Sequence, residues 1–164
     1  MNKTDNLGFS GQFVLTARHD DGSVFAVRDI VNLIMDAGED EVAKLISNGE
    51  EAATAFDYIA IGTDSTAADD AQTQLGTDGT SEIATSGGAR AIDATPSTAA
   101  NVATVDVTFA FTDGGIFAIK EVGLFNHLTP AGSDMLARQT FDVINVTSGD
   151  SLTATWNITC GVAR

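Results

Sequence analysis

Gly149-Asp150-Ser151 has the outline of a hydrolase signature. A serine nucleophile needs a histidine base within reach and an acid to orient that base. The two histidines, His19 and His127, fall at a predicted strand end and in a predicted loop, and the triplet runs directly into an alternating strand. It therefore reads as a turn. Glu39-Asp40-Glu41 offers three carboxylates to a cation. Consecutive residues at a helix start point in different directions, so they read as a solvated acidic cap. Asp64, Asp69 and Asp70 lack the alternating oxygen ligands and fixed glycine of a calcium loop. Neither histidine stands at metal-ligand spacing from a Cys or Asp. The chain holds no Gly-x-Ser-x-Gly turn, no lysine-bearing phosphate loop and no helical His-x-x-x-His pair. The residues thus predict no catalytic centre, no cofactor and no metal site.

Charge narrows the partners. The net charge is −15, from 23 acidic and 8 basic residues. Phosphate backbones and anionic bilayers both demand a basic patch, so neither nucleic acid nor membrane is expected. Such charge keeps a protein soluble at high local concentration. It suits a halophilic source, as does the presence of only three lysines, Lys3, Lys44 and Lys120. An ordinary acidic surface reads the same. The apolar fraction of 43% is that of a folded chain, and 164 residues suffice for one core. Cys160 stands alone, so no intrachain disulfide can form, and its place on an apolar strand face predicts a buried small hydrophobe. The N-terminus lacks the apolar core of a secretory signal, and no apolar run reaches membrane-span length. Assembly in a cytoplasm is the expectation.

The elements that would position any site are mostly strands. Leu152, Ala154, Trp156, Ile158 and Cys160 alternate with Thr153, Thr155, Asn157 and Thr159. Residues 105–111 alternate in the same way, which places Phe109 and Phe111 on the buried face. Period-two alternation marks a strand with one face buried and one wet. Residues 11–19 and 23–28, joined by Asp20-Asp21-Gly22, predict a hairpin. Residues 29–35 fit either a strand end or a helix start. Asp36 as cap and the apolar face of Met35, Val42, Leu45 and Ile46 predict one amphipathic helix over residues 37–48, closed by Asn48-Gly49. Residues 82–93 read as a strand interrupted at Gly87-Gly88 by a bulge or a close approach. The expected fold is mainly β: an antiparallel β-sandwich, jelly-roll-like or an open barrel, as a single domain over residues 11–164 behind a flexible arm or lead-in strand at 1–10.

Three segments then carry a resemblance. Asn32-Leu-Ile-Met-Asp-Ala-Gly leads into a leucine-bearing helix. Tyr58-Ile-Ala-Ile-Gly-Thr-Asp-Ser-Thr-Ala67 is close to a Y-x-A-I-G-T-G-x-T-A pattern. Ile119-Lys-Glu-Val-Gly-Leu-Phe125, Leu136-Ala-Arg138 and Leu152-Thr-Ala-Thr-Trp-Asn-Ile158 are close to I-x-E-x-G-L-F, L-x-A-R and L-x-V-T-W-x-I. Their order over residues 12–160 resembles the small virion structural proteins of tailed bacteriophages and archaeal tailed viruses. Asp64 stands where the pattern often has Gly, which bears on the local turn. The resemblance implies a non-enzymatic tail, collar or fibre-type protein. It would assemble as a symmetric ring or trimer and contact tail, portal-proximal or major capsid protein. Its place would be the virion, at the tail tip, collar or fibre base, with capsid decoration or a turret as the alternative and a glycan-binding module as a further one. The arm at 1–10 and the loop at 63–81, poor in apolar anchors, are the expected contacts and would order on assembly.

Within these motifs Glu121 and Arg138 either pair across the sheet or both face solvent. Gly123 would let Phe125 or Trp156 pack closely over the backbone. Trp156 is the expected core anchor.

Overall fold

The computed structural model describes residues 8–47, 54–76 and 80–161. Nine antiparallel strands form one sheet in the order β4-β3-β7-β8-β2-β1-β9-β6-β5, curled into a half-barrel. The strands are β1 (Phe9–Arg18), β2 (Val24–Ile34), β3 (Tyr58–Gly62), β4 (Ala91–Ile92), β5 (Ser97–Ala99), β6 (Val102–Ala110), β7 (Phe117–Phe125), β8 (Met135–Val146) and β9 (Ser151–Cys160). One helix, α1 (Asp36–Ser47), follows β2. The expected mainly β fold with one helix is therefore present, in its open-barrel form.

Curling turns the two ends of the sheet toward each other around a common core. Phe13, Leu15 and Ala17 of β1, Phe109 of β6, and Leu152, Ala154 and Trp156 of β9 supply one side. Ile59 and Ile61 of β3, Ile119, Val122 and Leu124 of β7, and Ile144 and Val146 of β8 supply the other. Trp156 is fully buried, its rings centred 5.1 Å from that of Phe13. Phe111, just beyond β6, is buried as well and packs against Phe117 at 5.7 Å. The open side is drawn in by Asp93, whose carboxylate accepts the Asp106 backbone N–H of β6 at 2.8 Å.

A register shift between Ile119 and Glu121 reverses the side-chain parity of β7. Across it β7 advances two residues while β8 advances four, from Ile144 to Thr140, and the irregularity moves the alternation of β7 from one face to the other. Ile119, Val122 and Leu124 face the main core, and Glu121, Gly123 and Phe125 face the sheet's other side. That side has a second small core: Met35, Ala60, Leu75, Phe125 and Met135.

Several expectations are resolved or corrected. Residues 29–34 belong to β2, and Met35 precedes α1. Phe9 and Ser10 open β1, so this part of the expected arm is a lead-in strand; residues 1–7 and the Asn48-Gly49 cap lie outside the described residues. Cys160 is exposed, because β9 ends there and its alternation no longer meets a core. Leu45 and Ile46 are exposed on α1, and only Met35 and Val42 reach the interior. Glu41 is buried, not solvated: it pairs with Lys44 at 3.1 Å and accepts the Thr54 N–H at 3.1 Å. The Gly87-Gly88 segment is a close approach. Gly87 has φ +84°, and a Cβ there would lie 1.7 Å from the Ala110 carbonyl oxygen.

Candidate functional site

The most concentrated polar chemistry lies on the outer side of β7 and β8. Glu121 pairs directly with Thr140 and Gly123 with Arg138, so the Glu121 and Arg138 side chains are diagonal neighbours on one face. Gly123 leaves the space between them low. A Cβ there would lie 2.7 Å from the Phe125 ring and 2.9 Å from Leu75. Phe125 takes the role foreseen for a ring over this glycine, and Trp156 lies in the main core instead.

Glu121 and Arg138 are both fully buried and bonded to each other, so the cross-sheet alternative holds. Arg138 donates from Nε at 3.0 Å and from Nη2 at 2.8 Å to Glu121 Oε2. The same oxygen accepts the Gly76 N–H at 2.9 Å. Oε1 accepts the Asp64 N–H at 3.1 Å and the Ser81 hydroxyl at 2.5 Å. Arg138 Nη1 donates to Gln72 Oε1 at 2.8 Å, and Nη2 to the Thr66 carbonyl at 3.1 Å. Every partner outside the pair belongs to the segment from Asp64 to Ser81. A buried ion pair is tolerated when its remaining lone pairs and protons are satisfied, and here the loop satisfies them.

The expectation that this loop waits for assembly to order it is therefore corrected for residues 63–76 and 80–81. Leu75 is fully buried in the second core, and the loop backbone is bonded to the ion pair. Asp64, in place of glycine, builds its own turn by accepting the Thr66 N–H, and that bond holds its carboxyl below the usual range.

A second pair extends the cluster. Arg90 binds Glu82 with two hydrogen bonds, Nε to Oε1 at 3.0 Å and Nη2 to Oε2 at 2.7 Å. Its Nη1 donates to the His127 carbonyl at 2.8 Å and to Ser133 Oγ at 3.1 Å. The guanidinium lies 3.7 Å from the centroid of the Phe125 ring, a cation–π contact. Beside it opens a cavity of about 280 Å³ lined by Glu82, Ala84, Ala89, Arg90, Leu128 and Pro130. Its two charged groups are already spent on each other.

The turn at Gly149-Asp150-Ser151 has a histidine after all. His19 Nδ1 lies 3.0 Å from Asp150 Oδ1, with its ring stacked on Phe25 at 4.3 Å. Asp150 Oδ2 accepts the Thr147 N–H and hydroxyl. Burial raises the Asp150 carboxyl, but the bonds from His19 and Thr147 together outweigh it and hold it below the usual range. Asp57 is displaced the other way: burial pushes it up, with the Asp93 charge adding to the rise.

Sequence reasoning missed the Arg90–Glu82, His19–Asp150 and Asp93–Asp106 contacts. Only the first had a local signal, two opposite charges eight residues apart around a glycine pair. Among the described residues no group of three or more His, Cys, Asp or Glu side chains could hold a metal ion. No helix among them is long and apolar enough to cross a membrane. No protein-family model, curated protein or solved structure matches the chain.

Proposed function

We propose that the chain is a non-enzymatic structural protein of a tailed-virus particle, assembling as a symmetric oligomer at the tail tip, collar or fibre base. The observation that carries this reading is the convergence of the resembling segments. The Tyr58–Ala67 stretch, the Ile119–Phe125 stretch and Leu136-Ala-Arg138 are remote in sequence. In the fold β3 pairs with β7, β7 pairs with β8, and Arg138 bonds both Glu121 and the Thr66 carbonyl. The motif residues are thus the parts of one loop-to-sheet clamp. A loop bonded through its backbone to a buried ion pair suits a particle component that must hold its shape. Trp156 is fully buried and offers no stacking platform for a sugar, which weighs against a glycan-binding module.

Mass spectrometry of purified particles of the encoding virus tests the proposal. Stoichiometric amounts of this chain in the particle are expected. Its absence from particles, with abundance in the infected cell, would overturn the reading.

A further inference from the structure

The open side of the half-barrel is closed by a short piece of chain. β4 pairs with β3 over two residues, Tyr58–Ile92 and Ile59–Ala91. One step further in this register Asp57 and Asp93 stand directly opposite, and the Asp93 N–H donates to the Asp57 carbonyl at 2.8 Å. Alternation from Ile59 and Ala91, which pack on the main core, turns both carboxylates to that same side. Like charges directly opposite on one face of a ladder repel. Their surroundings differ. Asp93 is buried, and both of its oxygens accept N–H groups, Oδ1 from Thr95 and Oδ2 from Asp106, each at 2.8 Å. Asp57 Oδ1 is buried as well and has no hydrogen-bond partner among the described residues. The bond to Asp106 is what reaches β6. The Asn101 carbonyl accepts the Cys160 N–H of β9, so by alternation Asp106 turns its own N–H to the free edge of β6. The Asp93 carboxylate sits there in place of the carbonyl that a neighbouring strand would supply.

We propose that a proton on Asp57 holds this segment shut, and that residues 91–95 lift from β3 and β6 more often once Asp57 ionises. The two N–H groups on Asp93 favour its charged form, whereas a buried oxygen without a donor favours the neutral acid, so the proton belongs to Asp57. Burial pushes the Asp57 carboxyl up, and Asp93 is the charge that adds to the rise. The other ionisable groups at this seam face away: Asp106 bonds Thr155 on the outer side at 2.5 Å, and Tyr58 packs on the second core. Residues 94–99 carry none. The segment has fixed points at both ends, Arg90 on Glu82 and β5 on β6. Lifting what lies between takes the Asp93 charge from Asp57 and admits water to it. The lifted state therefore binds the proton less tightly than the closed one. Linkage then gives the direction: opening is suppressed below the raised folded value of Asp57 and favoured as pH rises through it. Lifting bares the edges of β3 and β6, so the same proton governs whether these strands are open to pairing.

Two NMR measurements on the full chain test it: a carboxyl titration, and amide hydrogen exchange expressed as protection factors, which removes the pH dependence of the intrinsic rate. The Asp57 carboxyl is expected to titrate above the ordinary range of about 3.9. The amides of Asp93 and Asp106 are expected to gain about fivefold protection from pH 7 to about pH 5. In Asp57→Asn, a neutral side chain of the same size, both amides should be as protected at pH 7 as the wild type is in acid, with no further gain. His19 and His127 remain in that variant, so a response of theirs would persist there. In Asp93→Ala the Asp106 amide should exchange fast at both pH values. An Asp57 carboxyl that titrates in the ordinary range would overturn the proposal. So would wild-type protection that ignores pH, or a pH response that survives in Asp57→Asn. The wild-type titration needs no variant, and Asp57→Asn relieves a repulsion, so neither arm depends on a damaged fold.

Discussion

Glu121 and Arg138 meet as fully buried diagonal neighbours on β7 and β8, with Arg138 Nε and Nη2 at 3.0 and 2.8 Å from one carboxylate oxygen. The pair is a frame on which the Asp64–Ser81 segment is hung. Its strength lies less in the two charges than in what they organise: two loop N–H groups, one hydroxyl, one amide side chain and one carbonyl.

Removing one partner strands the other charge in the interior. Glu121→Ala or Arg138→Ala is therefore expected to destabilise the fold by about 3–5 kcal/mol in urea unfolding. Replacing both together, Glu121→Leu with Arg138→Met, should cost less than the sum of the single losses. In all three variants the amides of Asp64 and Gly76 should lose hydrogen-exchange protection before those of β9 do. Uniform loss across the sheet would contradict the clamp.

The two close-packed glycines should differ in their response to alanine. At Gly123 the added Cβ meets the ends of Leu75 and the Phe125 ring, which can move. A cost of about 1–3 kcal/mol is expected. At Gly87 the Cβ meets the Ala110 carbonyl, which cannot, and φ is positive as well. Gly87→Ala should be the more damaging in a melting comparison, and the reverse order would refute the close approach at residue 87.

Asp57 and Asp150 should pull in opposite directions with pH. The Asp57 carboxyl is raised by burial, so the folded state binds its proton more tightly than the unfolded state. Its charge therefore costs stability at neutral pH, and the cost fades as pH falls through its folded value. Asp57→Asn should raise the melting temperature at pH 7 and lose that advantage in acid. The Asp150 carboxyl is lowered. Its contribution is fully present above the ordinary carboxyl range, near 3.9, and is lost as pH falls through the lower folded value. Asp150→Asn should destabilise at pH 7 and flatten the acid limb of the stability curve. Equal effects of the two substitutions at pH 7 would contradict these environments.

Trp156 fills the centre of the main core, yet its indole Nε1 has no hydrogen-bond partner among the described residues. Trp156→Ala should cost about 3–5 kcal/mol. Trp156→Phe should cost much less, since it also removes a buried donor that goes unsatisfied. An unchanged melting temperature for the alanine variant would refute the placement.

How far the sequence reveals this fold depends on burial. β1, β6 and β9 are buried on one face only, so Phe13, Phe109 and Trp156 stand out by alternation against Thr16, Thr108 and Thr155. In β7 and β8 both faces are covered at Glu121 to Phe125 and Met135 to Arg138, and alternation is erased there. The motif, not the pattern, marks Glu121 and Arg138. The richness of the loop in Thr, Asp and Ala predicts a loose segment. What fixes it is in good part its backbone, two N–H groups and a carbonyl, which no composition reveals. Glu41 departs from the acidic-cap expectation for a related reason: its burial depends on Thr54, across a connection the helix pattern does not include.

The position of this chain in a whole-particle reconstruction tests the central claim most directly. The account predicts repeated copies of a curled nine-stranded sheet at the tail tip, collar or fibre base, related by particle symmetry. Copies spread over the head surface would move the protein to capsid decoration. A particle map complete at side-chain level with no density for this chain would contradict the account.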